Sequence, residues 1–226
     1  MQIAILIPCY NEELTIGNVI TDFKQYAPQA TIYVYNNNST DNTAKIAKEY
    51  GAIVVDSPKQ GKGNVIKHMF SSIDADIYVL VDGDSTYFAK DLPSMLEQFE
   101  EGSMVIGDRL SSTYFAENTR RFHNIGNKLV RFLINHLYHS SINDIMTGYR
   151  ICSKSMCKSI NIKSKEFEIE TEMTIYALTH NYTIKSVPID YKNRPVGSES
   201  KLSTIKDGYK IIKFIFKEYR RYKKSL

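Results

Sequence analysis

Short runs of β-branched and apolar residues alternate along the first half of the chain with polar stretches whose apolar positions recur every three to four residues. This pattern predicts strands over 2–8, 31–36, 52–56, 76–82 and 104–108, connected by helices over 12–27, 41–50, 61–73 and 91–101. Strand and helix in regular alternation give a mostly parallel sheet covered by helices, an α/β fold. Polar turns fall where the strands should end: Pro8-Cys9-Tyr10-Asn11, Asn36-Asn37-Asn38-Ser39 and Asp82-Gly83-Asp84. Ligands of open α/β sheets bind outside the carboxyl ends of the strands, so these three turns are expected to line one site. Beyond residue 110 the pattern is less regular, with helical spacing over 120–139 and 167–181 and a β-rich stretch over 182–194.

The last segment, 206–226, reads as a long amphipathic helix. Ile211, Ile212, Phe214, Ile215, Phe216, Tyr219 and Tyr222 share one broad face, and Lys210, Lys213, Lys217, Arg220, Arg221 and Lys224 share the other. The net charge of the whole chain is +4. Eight Lys or Arg against Asp207 and Glu218 give this segment alone about +6, leaving about −2 for the rest. The basicity is local, which argues against a nucleic-acid-binding face and for one basic segment suited to an anionic membrane surface.

With 226 residues and 42% hydrophobic content the chain can bury a full core. One domain over 1–205 is expected, with a first half over about 1–110 and a second over about 111–205, followed by the 206–226 helix. Three cysteines without paired spacing, and no signal-peptide pattern before the first apolar run, point to a reducing cytoplasmic setting. The apolar runs are far shorter than the roughly 20 residues of a spanning helix, so attachment to a membrane would be peripheral.

Asp82-Gly83-Asp84 is the strongest local signal for chemistry. Two carboxylates one residue apart at a strand end can reach one hard divalent cation, which binds phosphates through its other positions. The same residues could equally form a solvated turn that caps the next helix. Pro8 ends the first strand ladder, Tyr10 offers a flat face to a nucleobase, and Asn11 with Glu12 and Glu13 suits a helix start. Asn36 and Asn38 carry amides suited to a base edge, while Thr40 or Asp41 fits a helix cap. Gly61-Lys62-Gly63 before a helix offers backbone donors and one cation to phosphate, or a flexible solvated turn. His136 and His139 read as surface or packing residues.

Taken together and in this order, these segments resemble the family-two glycosyltransferases, most closely the branch containing dolichyl-phosphate mannose synthase and bacterial polyprenyl-phosphate glycosyltransferases. The resemblance extends through Gly107-Asp108-Arg109, Asp144-Ile145-Met146-Thr147-Gly148-Tyr149-Arg150, Arg194-Pro195-Val196-Gly197-Ser198 and Ser200-Lys201-Leu202. It implies a GT-A fold, a Rossmann-like sheet flanked by helices, and an inverting transfer from a UDP- or GDP-sugar with Mg2+ or Mn2+ at Asp82 and Asp84. By the same match Pro8, Tyr10, Glu12, Asn36, Asn38, Lys62, Asp82, Gly83 and Asp84 would hold the donor. Arg109, Arg120, Arg121, Asn124, Arg194 and Lys201 would surround a lipid-phosphate or glycan acceptor. Two departures stand out: Asn36 replaces an aspartate of many relatives, and Thr86 replaces a glutamine.

The acceptor determines whether a base is needed. A lipid phosphate is already anionic near pH 7, whereas a sugar hydroxyl requires a general base, for which Asp144 is the first candidate and Glu170 the second. Polyprenyl phosphate is the leading acceptor expectation and a glycan hydroxyl its rival. A nucleotidyltransferase, or a non-catalytic protein that binds nucleotide sugars, are readings from other classes.

Overall fold

The computed structural model of the protein describes residues 1–111, 121–198 and 200–225, with the side chains of residues 121–124 outside that description. Four strands, β1 (Ile3–Cys9), β2 (Thr31–Asn36), β3 (Ile53–Asp56) and β4 (Ile77–Leu80), alternate with α1 (Ile16–Tyr26), α2 (Thr43–Glu49) and α3 (Lys62–Ser72). A 3-10 turn at Ala89–Asp91 and the short α4 (Leu92–Glu97) lead into β5 (Ser103–Asp108). The second half contributes α5 (Arg121–Tyr138), β6 (Arg150–Ser153), α6 (Lys154–Ser159), α7 (Ile169–Thr179), β7 (Thr183–Pro188) and α8 (Thr204–Ser225).

These strands form one sheet in the order β3-β2-β1-β4-β6-β5-β7. The pairs β1–β2, β2–β3, β1–β4 and β5–β7 are parallel, whereas β6 runs antiparallel to both β4 and β5. Chain order moves outward from β1 to β3 on one side and resumes at β4 on the other. The topological switch point therefore lies between β1 and β4, where such sheets form their ligand crevice.

Residues of period two divide each central strand between two cores. Ala4, Leu6, Tyr78 and Leu80 face a cluster with Val65, Met69 and Phe70 of α3, Val130 and Ile134 of α5, and Ile169 and Met173 of α7. Ile5, Ile7, Val79 and Val81 face Ile16, Ile20 and Phe23 of α1 and Leu92 and Met95 of α4. The expected strands and helices of the first half are present, with the helix expected over 91–101 shortened to Leu92–Glu97.

Strand β6 is absent from the sequence reading. It is four residues long and begins with Arg150, a charge that masks a strand pattern, yet Arg150 is only 1% exposed. Its guanidinium donates to Thr147 O at 3.0 Å, Ile145 O at 2.5 Å and Thr174 Oγ1 at 2.9 Å. Those bonds satisfy the buried cation and fix the 145–149 loop beside β4.

The apolar residues of α8 fall on two sides of the helix instead of one. Ile211 and Ile215 are buried in the same core as α3 and α7, and Tyr219 and Tyr222 meet the ring of Tyr138 at the end of α5. Phe216 and Tyr209 remain 43% and 68% exposed. With Ile212 they form an outer apolar strip edged by Lys213, Lys217, Arg220 and Arg221.

Candidate active site

The switch point opens into two adjoining cavities. The first, of about 250 Å³, is bounded by the turn after β1 (Pro8, Tyr10, Glu12), the start of α3 (Gly61, Lys62) and the Asp82-Gly83-Asp84 turn after β4. The second, of about 350 Å³, shares Lys62, Asp82, Asp84 and Arg194 with it and adds Tyr87, Arg109, Glu170 and Tyr191. Arg194, Ser200 and Leu202 border both.

The acidic turn is tightly built. Gly83 has no alternative, because a Cβ there would lie 2.6 Å from Cys9 Sγ. Thr15 Oγ1 donates to Gly83 O at 2.7 Å and ties the turn to α1. Asp84 Oδ1 accepts from the backbone N–H and the hydroxyl of Thr86 at 3.1 and 2.6 Å, so the threonine that departs from the family pattern anchors this carboxylate. On the other side of the turn, a Cβ at Gly148 would lie 2.4 Å from Asp82 Oδ2, so the Thr147-Gly148-Tyr149 segment leaves room for Asp82 only because it carries glycine.

Each carboxylate has a cation. Lys62 Nζ lies 2.6 Å from Asp82 Oδ1 and 2.5 Å from Glu170 Oε1, and Arg194 lies 2.5 Å from Asp84 Oδ2 and 3.4 Å from Glu12 Oε1. Burial opposes charge on Lys62, but Asp82 and Glu170 outweigh it and hold the ammonium above its ordinary pKa. The two aspartates separate. Burial and the neighbouring Asp82 push Asp84 up, while Lys62 overcomes burial to pull Asp82 down. Burial also lifts Glu12 to about 7, against the pull of Arg194.

Arg109 is fixed in the second cavity. Its Nε and Nη2 donate to Asp144 Oδ2 and Oδ1 at 2.7 and 2.9 Å, and its guanidinium lies 5.9 and 5.4 Å from the ring centres of Tyr87 and Tyr191. Asp144, which is 1% exposed, also accepts from the backbone N–H of Arg109 at 3.2 Å. Both of its oxygens thus accept from the arginine and hold the guanidinium in place.

Several expected residues are placed differently. The first cavity is lined by Asn37 instead of Asn36 or Asn38. Asn36 donates to Asp56 Oδ1 at 2.9 Å, and Asn38 donates to Pro58 O and Gln60 Oε1 at 3.0 and 3.1 Å. Asn37 is a scaffold: it accepts from Gly61 N and donates to Ser57 O and Lys59 O, joining the ends of β2 and β3 to the start of α3. Lys201 borders the first cavity, within 3.5 Å of Asn11 O, and does not line the second, which holds Arg109. Arg120 and the side chains of Arg121 and Asn124 lie outside the described residues. His136 stacks on Phe132 along α5. Among the described residues no three His, Cys, Asp or Glu side chains converge on a metal position. Two hard carboxylates facing an open pocket instead suit an ion that completes its shell with water and phosphate oxygens.

Residues 4–160 match the model of Glycosyl transferase family 2. The chain belongs to this family. It is a glycosyltransferase, and its sheet with the inserted antiparallel β6 is the GT-A fold. Glycosyltransferase AglJ of Haloferax volcanii is 34% identical over 208 residues, covering 91% of this chain and 68% of that protein. A dolichyl-phosphate hexose transferase of the same organism is 30% identical over 217 residues, covering 96% and 93%. Among solved structures, glucosyl-3-phosphoglycerate synthase from Mycobacterium tuberculosis in complex with UDP superimposes with a TM-score of 0.77 at 19% identity, covering 96% of this chain and 80% of that one. The same synthase has been crystallised with Mn2+, UDP and glucosyl-3-phosphoglycerate.

Proposed function

We propose that this glycosyltransferase moves a sugar from a UDP- or GDP-sugar to polyprenyl phosphate with inversion, at the cytoplasmic face of a membrane. The observation that carries the acceptor is the charge pattern of the second cavity. Every carboxylate lining it is ion-paired, Asp82 and Glu170 with Lys62 and Asp84 with Arg194, while Arg109 is aimed by Asp144 and caged by two tyrosines. Such a cavity suits an acceptor that arrives anionic and needs no base. The name of the dolichyl-phosphate hexose transferase supports the same class of acceptor.

In this reading Pro8, Tyr10 and Glu12 border the nucleoside, and Lys62 and Arg194 face the diphosphate. Asp82 and Asp84 would hold Mg2+ or Mn2+, which supplies charge neutralisation to the leaving diphosphate. Arg109 grips the acceptor phosphate and turns an oxygen toward the anomeric carbon, with guanidinium geometry suited to two phosphate oxygens. Arg194, already 3.4 Å from Glu12 and 2.5 Å from Asp84, exchanges carboxylate for phosphate as the donor fills the pocket. The outer strip of α8, Tyr209, Ile212 and Phe216 with its four flanking cations, would rest on anionic lipid. Among the described residues no helix is long and apolar enough to cross a membrane.

The test is a panel of UDP- and GDP-sugars incubated with Mn2+ or Mg2+, with and without polyprenyl phosphate, followed by nucleoside diphosphate release. Release stimulated by the lipid phosphate supports the reading. Release stimulated only by sugar hydroxyl acceptors would replace the acceptor, and release of pyrophosphate would replace the reaction.

A further inference from the structure

Lys62 is shared by two carboxylates that belong to different parts of the fold. Asp82 sits on the turn after β4, whereas Glu170 lies in the first turn of α7 and is 5% exposed. One ammonium needs only one carboxylate to balance it, and burying a second costs desolvation. The second carboxylate is held firmly. Lys165 O accepts from Asn64 N at 3.2 Å, and a Cβ at Gly61 or Gly63 would strike Lys165 O or Ser164 O at 2.3 or 2.5 Å, so the start of α3 is seated against the 163–165 loop. Glu172, two residues beyond Glu170, accepts from Lys163 N and Ser164 N at 2.8 Å and clamps that loop to α7. Lys62 and Glu170 are thereby parts of one braced unit, and Asp82 approaches it from another strand.

We propose that Glu170 is a positioning residue acting through Lys62: it retains the ammonium on the pocket wall when Asp82 turns to a divalent cation. Lys62 then faces the diphosphate instead of competing for the carboxylate that the ion requires. This rests on the donor and metal reading above and assigns Glu170 a task distinct from that of a general base. Without Glu170 the ammonium has Asp82 as its remaining ion-pair partner, and an incoming ion must displace it without an alternative anchor.

The experiment measures free Mn2+ by electron paramagnetic resonance on the full chain, in the presence of saturating UDP or GDP, beside a thermal melt. The parent should bind Mn2+ in a nucleotide-dependent manner; if it does not, the donor and metal reading fails, and with it the basis of this inference. Given parental binding, Glu170→Gln should weaken Mn2+ by about 10- to 100-fold, the size of effect typical of groups that orient metal ligands. On a Lys62→Met background the same substitution should change Mn2+ affinity by less than about twofold, because the residue through which it acts is gone. Lys62→Met alone should tighten Mn2+ binding in the absence of nucleotide. Glu170→Asp, which keeps the charge, should fall between parent and Gln, and it carries the comparison if Glu170→Gln does not fold. Parental Mn2+ affinity in a folded Glu170→Gln protein with kcat alone reduced would overturn the proposal in favour of a base. An undiminished Glu170→Gln effect on the Lys62→Met background would overturn it in favour of direct action on the ion.

Discussion

Replacing Gly148 by alanine adds one methyl group at a position where its nearest neighbours are the atoms of a single carboxylate. The new Cβ would lie 2.4 Å from Asp82 Oδ2, 2.8 Å from Cγ and 2.9 Å from Oδ1. Real Cβ contacts do not fall below 3.0 Å, so the nearest oxygen must retreat by at least 0.6 Å. Asp82 cannot retreat freely, since Lys62 grips its other oxygen at 2.6 Å. A displacement approaching 1 Å at a group that orders reacting atoms costs on the order of 100-fold in rate. Gly148→Ala is therefore expected to lower kcat/KM by about that factor and to weaken nucleotide-dependent Mn2+ binding, with a melting temperature close to that of the parent. Gly126→Ala is the matched control. It lies in α5 with nothing within 4 Å of the added carbon, and should stabilise the helix by about 0.5–1 kcal/mol while leaving Mn2+ binding unchanged. Parental Mn2+ affinity in Gly148→Ala would refute the idea that this glycine positions a metal ligand.

Four further outcomes are expected. Asp84→Asn should reduce diphosphate release by orders of magnitude, and excess chelator should abolish it in the parent; full activity in chelator would remove the ion from the mechanism. Arg194→Ala should lower kcat more than it weakens donor binding, because a phosphate-gripping arginine acts most strongly in the transition state; an unchanged kcat with weaker nucleotide binding would assign it to the donor ground state. For α8, Gln at Lys213, Lys217, Arg220 and Arg221 should reduce sedimentation with anionic liposomes in a salt-sensitive way, and Phe216→Ser should weaken attachment with little change in melting temperature, whereas Ile215→Ala should cost about 2–5 kcal/mol of stability. A parent protein that ignores anionic liposomes would end the membrane assignment. Glu12 has its pKa raised from 4.5 to about 7 in the fold, so its contribution to stability is fully present below pH 4.5 and is lost as pH rises through about 7. Glu12→Gln should flatten the melting temperature across that window, and an unchanged slope would contradict the burial assigned to this carboxyl.

The parallel half of the sheet was readable because each strand is a β-branched run ended by a polar turn, and turns at carboxyl ends converge by topology. Asp82, Asp84, Pro8 and Tyr10 were placed on one pocket by that reasoning, and Glu12 by the family resemblance. Strand β6 was not readable, since its first residue is a charge whose burial depends on three partners supplied by the 145–147 loop and α7. The choice among Asn36, Asn37 and Asn38 depends on where Gly61 and the end of β3 lie, which adjacent asparagines cannot reveal. Glu170 was legible only as the second candidate base; the positioning role proposed for it arises from Lys62, 108 positions earlier in the chain, and such long-range pairing leaves no local trace. The motif from Asp144 to Arg150 was recognisable as a unit, but its residues divide the work: Asp144 aims Arg109, Gly148 makes room for Asp82, and Arg150 braces the loop.

The antiparallel insertion of β6 also decides how the protein can be made and divided. Strand β5 belongs by sequence to the first half, yet its ladder partners are β6 and β7, both contributed by the second. A fragment ending near residue 110 would leave β4 as an open edge and β5 without a neighbour, inviting intermolecular strand pairing. Exchange of the second half between relatives is thus not a matter of joining two modules at their boundary, since the incoming half must supply a central strand in register with the resident β4 and β5. During synthesis β4 lacks its neighbour until Arg150–Ser153 has emerged, and the sheet is incomplete until Thr183–Pro188 follows, so the nascent chain must carry an unfinished edge for much of its length.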